Sequence, residues 1–205
     1  MDPSLNPFST RSIFPGAIEY CFFETDHNLV QLIDEIKQRC QGLAAIVGPH
    51  GSGKSTLLAS LQPQLEEIYG EFKMLRISQL EPFRFVAIGN AKLVVIDGFE
   101  QLRWFDRARL VWRAKHGELS LIVTTHKPSR WIPTLYRTST NLVQAQQLLV
   151  RLLKDRPDLY ESFSQRLSEL WPIHSPNLRD AFFSLYDFYE ERIRTSSNLQ
   201  KPQLD

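Results

Sequence analysis

Apolar and polar positions follow two rhythms along this 205-residue chain. Up to about residue 140, short unbroken apolar runs alternate with stripes of helical period, and beyond it only the helical period remains. The runs Leu43–Val47 and Leu93–Ile96 contain no polar position and Leu119–Val123 only Ser120, as expected of strands buried on both faces. Phe72–Ile77, Leu135–Arg137 and Ile18–Phe23 are further strand candidates. Leu29, Val30, Leu32, Ile33 and Ile36 form a 3.6-residue stripe that Thr25 or Asp26 can cap and Gly42 ends. A second helix starts near Lys54 and is expected to bend or stop at Pro63. A third covers 102–115, before Gly117, and segment 79–91 reads as one short helix after Pro82. Past residue 140 the pattern predicts helices at 141–154, 158–171 and 176–194, with turns at Pro157 and Pro172 and a frayed polar end. The first 17 residues hold three prolines and read as an extended arm with Gly16 in a turn. Alternating strands and helices predict an α/β core of three layers around a five-stranded, mostly parallel sheet. Residues 1–140 would form that core with its arm, and 141–205 a small helical, lid-like subdomain.

One segment between a strand and a helix carries chemistry. Gly48-Pro49-His50-Gly51-Ser52-Gly53-Lys54-Ser55-Thr56 is a complete G-x-x-x-x-G-K-[ST] phosphate loop, in the strand–turn–helix setting the motif requires. Its glycines let backbone N–H groups approach phosphate oxygens, and the helix beginning near Gly53 adds its positive end. Lys54 can reach the β- and γ-phosphates, and the Ser55 hydroxyl can ligate Mg²⁺. The implied ligand is a nucleoside triphosphate with Mg²⁺, and the implied core is a P-loop NTPase fold.

Composition narrows the setting. At 42% apolar and 23% charged residues the chain is an ordinary globular protein, long enough to need no disulfide or metal staple. The net charge of +1 gives no global case for nucleic acid, although Arg103, Arg107, Arg109, Arg113 and Lys115 crowd one helix with Trp104 and Trp112. That helix reads first as a solvated face with its aromatics in the core or at a partner interface. Cys21 and Cys40 read as free thiols, and the five histidines show no metal-ligand spacing, though His50 and His126 stand close in sequence to the nucleotide elements. No apolar run is long enough for a membrane span and no signal peptide is visible, so the expected compartment is the cytoplasm.

Asp97 ends the 93–96 strand, at the sheet edge where ligands of open α/β folds bind, and can hold Mg²⁺ opposite Ser55. Glu100, three residues on, can orient or deprotonate an attacking water. Phosphate loop, apolar strand ending Asp97-Gly98-Phe99-Glu100, then a strand ending Thr124-Thr125-His126, in that order, resembles the P-loop ATPases with an additional catalytic-glutamate strand. That class includes AAA+ and STAND ATPases. The three-residue spacing of the acids is similar to STAND proteins and departs from the adjacent acids usual in AAA+. The resemblance implies that Thr124 or Thr125 touches the γ-phosphate or the attacking water. Ser175-Pro176-Asn177-Leu178-Arg179-Asp180-Ala181 resembles the start of the sensor-2 helix of AAA+ lids, which implies that Arg179 reaches the phosphates. A capped helix with Arg179 paired to a nearby carboxylate explains the same residues.

ATP is expected over GTP, since no Asn-Lys-x-Asp segment is present, and no LSGGQ-like segment precedes Asp97, which argues against an ABC transporter subunit. The first reading is an ATP-hydrolysing switch; a small-molecule or nucleotide kinase and a non-hydrolysing nucleotide-dependent adaptor are the alternatives. A protein partner or homo-oligomer is left open, with Arg107, Arg109, Arg113, Arg130 and Arg137 as candidate arginine fingers. Phe8 in the arm reads as an apolar anchor before an adenine-stacking ring.

Overall fold

The computed structural model describes residues 6–22, 28–38, 42–77 and 88–199. Cys40, Thr25, Asp26 and nearly all of the expected 79–91 helix lie outside them. By their contacts the residues divide into two units, one covering 19–139 and the other combining the arm up to Ile18 with the chain from Thr140 onward.

The chain begins with a one-turn helix, α1 (Thr10–Ile13), then α2 (Leu29–Gln38), β1 (Leu43–Val47) and α3 (Lys54–Tyr69). β2 (Lys73–Arg76), β3 (Leu93–Asp97), α4 (Trp104–Lys115), β4 (Ser120–Thr125) and β5 (Thr134–Arg137) complete the first unit. Its five strands lie in the order β2-β3-β4-β1-β5, and every pairing is parallel. β4 therefore separates the phosphate-loop strand β1 from the Asp97 strand β3. The unbroken apolar runs are explained by helices on both faces. Ala44, Ile46, Leu93, Val95 and Ile122 pack under α2 and α3, while Ala45, Val47, Val94, Ile96 and Val123 pack under α4. This is the three-layer α/β core expected from the sequence.

Two local expectations fail. Of the expected Ile18–Phe23 strand, the described residues 18–22 form none: Ile18 makes one isolated bridge to Pro15, and Tyr20 and Phe22 spend their rings on Tyr136 instead, at 6.1 and 5.6 Å between centroids. Nor do the prolines stop their helices: α3 does not end at Pro63, and the helix Tyr160–His174 continues two residues past Pro172. An interior proline costs about 3 kcal/mol. Leu57, Leu58, Leu61 and Leu65 of α3 are all buried, each worth roughly 1.5–3 kcal/mol, so burial outweighs the one lost bond on a solvent-facing turn.

The second unit contains α5 (Leu142–Leu152), α6 (Tyr160–His174) and α7 (Leu178–Leu199). Asn141 caps α5 in a reciprocal box with Gln144. The arm, read from the sequence as part of the core unit, packs here. Phe8 is fully buried, stacked 5.3 Å from Phe163 and set against Phe182 and Tyr189, which makes it the apolar anchor. Asn6 ties it down, donating to Tyr186 O and Glu190 Oε1 and accepting from Phe8 N. Phe8→Ala should cost about 3–5 kcal/mol of this unit's stability, read as a lower urea midpoint.

Candidate functional site

β1 ends at Val47, and the loop that follows is held by packing as well as by its own turns. Gly48 N donates to Thr125 O of β4, and Thr138 N donates to Val47 O. A Cβ on Gly48 would stand 2.0 Å from Thr138 Oγ1 and 2.7 Å from Ser52 Oγ, so no other residue fits. Ser52, nearly fully buried, donates to Pro49 O at 2.8 Å and shares a 2.6 Å hydrogen bond with Thr138 Oγ1. Lys54, on the first turn of α3, is buried and folds back to donate to Gly48 O and Pro49 O, both at 2.7 Å. The ammonium is thus already held over the loop. Ser55 and Thr56 follow it on α3, while Pro49, His50, Gly51 and Gly53 complete the turn.

The carboxylate at the end of β3 is braced on both oxygens. Thr124 Oγ1 donates to Asp97 Oδ1 at 2.7 Å and accepts from Gly98 N at 2.8 Å. Asp97 Oδ2 faces Arg76 Nε at 3.5 Å, across the parallel register that pairs the last residues of β2 and β3. Arg76 is largely exposed, so this ion pair orients more than it stabilises. Gly98 sits at φ 86°, where a side chain would be strained, and turns the chain directly into a single 3₁₀ turn, Phe99–Gln101. That turn carries Glu100. Removing the Thr124 hydroxyl leaves a buried carboxylate oxygen and an amide without their partner. Thr124→Val should therefore cost about 1–3 kcal/mol, read by denaturation.

Glu100 and His126 meet at the same edge: His126 Nδ1 lies 2.6 Å from Glu100 Oε1. The other carboxylate oxygen, Glu100 Oε2, is buried and has no hydrogen-bond partner among the described residues. The His126 ring lies tilted by 38° against His50 of the phosphate loop, with centroids 3.8 Å apart. Burial pushes the His126 pKa below its ordinary value; Glu100 and Asp97 pull it up, and Lys54 and His50 push it down. One imidazole therefore feels the loop lysine, the strand-end aspartate and the glutamate together. An oxygen donor set of Ser55 and Asp97 suits Mg²⁺, and an orphaned, buried carboxylate oxygen suits a water or hydroxyl donor.

The structure thus brings Lys54, Asp97, Glu100 and Thr124 to one sheet edge. The Thr124 hydroxyl is committed to Asp97 and Gly98, and Thr125 Oγ1 donates to Lys127 O at 3.0 Å. Arg179 lies in the helical unit, exposed on the first turn of α7, beside an Asn177–Asp180 hydrogen bond. Sequence reasoning missed Arg76 and Thr138. Each ends or follows a short strand, and only the sheet order shows which neighbour it meets. On α4, Trp104 and Trp112 are exposed rather than in the core, and Arg113 pairs with Glu118. Among the described residues no helix is long and apolar enough to cross a membrane, and no cluster suited to a metal of the His/Cys/Asp/Glu kind appears.

No protein-family model matches the chain, and no curated protein matches it in sequence. Among solved structures, domain III of the Thermotoga maritima replication initiation protein DnaA superposes with a TM-score of 0.54 at 11% identity, over 82% of this chain and 84% of that one. C. elegans PCH-2 gives a TM-score of 0.38 at 13% identity, over 81% of this chain and 67% of that chain, a likeness too distant to add support. At 11% identity the DnaA likeness speaks for the fold alone, a three-layer α/β core around a parallel sheet followed by helices.

Proposed function

We propose that this chain binds ATP with Mg²⁺ and hydrolyses it, acting as a nucleotide-driven molecular switch. The phosphate-loop amides and Lys54 would hold the β- and γ-phosphates, Ser55 and Asp97 the Mg²⁺, and Glu100 the attacking water. Thr124 serves by fixing the Asp97 carboxylate, which leaves Thr125 as the strand-end hydroxyl nearer a sensor role. Arg179 would supply a cation to the γ-phosphate, with residues 141–205 acting as a lid. The observation that carries hydrolysis is the buried Glu100 Oε2, without a hydrogen-bond donor among the described residues, at the edge that also holds Lys54 and Asp97. A carboxylate in that condition needs a donor, and a water lined up on phosphate supplies one.

The test is phosphate release with ATP and with GTP, alongside the mass in solution with and without nucleotide. Mg²⁺-dependent release, greater with ATP, is expected. Tight binding with no release would favour the nucleotide-dependent adaptor. ADP formation with the phosphoryl group on a metabolite would favour a kinase. A nucleotide-dependent rise in mass would bring a neighbouring copy's arginine into the site as a finger.

A further inference from the structure

We propose that His126 is a positioning residue for Glu100 and that His50 holds His126, so that the phosphate loop itself sets the orientation of the base. The inference rests on the reading of Glu100 as the group that activates water. The three side chains come from the C-terminal ends of three neighbouring strands: His50 follows β1, His126 follows β4 and Glu100 follows β3. Glu100 Oε1 stands 2.6 Å from His126 Nδ1, and a carboxylate that close favours the tautomer with the proton on Nδ1. The His50 ring, at 3.8 Å and 38° to it, limits how that imidazole turns. A shift of the loop therefore reaches Glu100 through two rings and one close N···O contact, with no rearrangement of the sheet.

Both side chains are a little over a quarter exposed, where an ion pair contributes only about 0–1 kcal/mol to stability. The contact instead distinguishes the two carboxylate oxygens: Oε1 faces His126, and Oε2 has no hydrogen-bond partner among the described residues. The charged and titratable groups facing His126 are Glu100, Lys54, His50 and Asp97, and burial keeps the ring neutral around pH 7.

His126→Ala should lower kcat about 10- to 100-fold with KM changed by less than about 2-fold, since orientation is lost and nucleotide contacts are not. His126→Asn, whose Nδ2 can take the place of Nδ1, should recover most of that loss, and His50→Ala should show a smaller loss in the same direction. Independently of turnover, the His126 titration followed by NMR should have a midpoint below the usual value of about 6.5. That midpoint should rise in His50→Ala, which removes a group pushing it down, and fall in Glu100→Gln, which removes one pulling it up. A His126→Ala variant at the parental kcat, an Asn variant no better than Ala, or a midpoint unmoved by both substitutions overturns the inference. Parental turnover in Glu100→Gln would instead overturn the assignment of the base, and the titration would still decide whether the three side chains act as a unit.

Discussion

Glu100→Gln is expected to leave ATP and Mg²⁺ bound while lowering turnover about 100- to 10,000-fold, the usual contribution of a positioned base. The amide is nearly isosteric and can keep its hydrogen-bonding place beside His126, so the 3₁₀ turn and the Asp97–Thr124 brace should be undisturbed. What is lost is the acceptor strength of the orphaned Oε2. A fluorescent-nucleotide titration gives the binding side, and steady-state phosphate release gives the chemistry. Retained affinity with lost release places Glu100 in the chemical step, whereas equal loss of both would mean that the substitution damaged the loop.

Lys54→Ala has its large effect on binding. The ammonium is held by the Gly48 and Pro49 carbonyls at 2.7 Å, inside the turn where phosphates would lie. Charge-assisted hydrogen bonds to phosphate are worth about 1.5–3 kcal/mol each, so affinity for ATP should fall roughly 10- to 100-fold. Lys54→Arg should not rescue it, because the planar fork cannot sit in a turn shaped for one compact ammonium. Calorimetric titration checks both variants, with thermal unfolding to confirm that each remains folded. Affinity close to the parent in Lys54→Ala would remove the loop lysine from the nucleotide site.

The parts of this molecule that were legible in its sequence are those whose cause is local. Leu93–Ile96 reads as a buried strand because both its faces meet helices, and Gly48–Thr56 reads as a phosphate loop because a tight turn into a helix needs those residue types. Asp97 at the strand end follows from the same local pattern. Contacts across the sheet were not legible. Arg76 meets Asp97 only because β2 pairs with β3 in register, and Thr124 reaches Asp97 only because β4 lies beside β3. The same sheet order brings Glu100 to His126, and nothing in the spacing of those two residues along the chain indicates it. That α3 does not stop at Pro63 was not legible, because local rules count the lost hydrogen bond and not the four buried leucines on the other side of α3. The arm was misplaced for a related reason: Phe8 is an ordinary apolar residue in the sequence, and its neighbours Phe163, Phe182 and Tyr189 lie far along the chain.

The central claim is that water is the acceptor at a site built from Lys54, Asp97 and Glu100. Its most direct test follows the γ-phosphoryl group of labelled ATP with Mg²⁺, in the parent chain and in Glu100→Gln. The expected result is free phosphate formed in equal amount to ADP by the parent, absent without Mg²⁺ and nearly absent in the variant. Label passing to another acceptor, or free phosphate released equally by parent and variant, would contradict it.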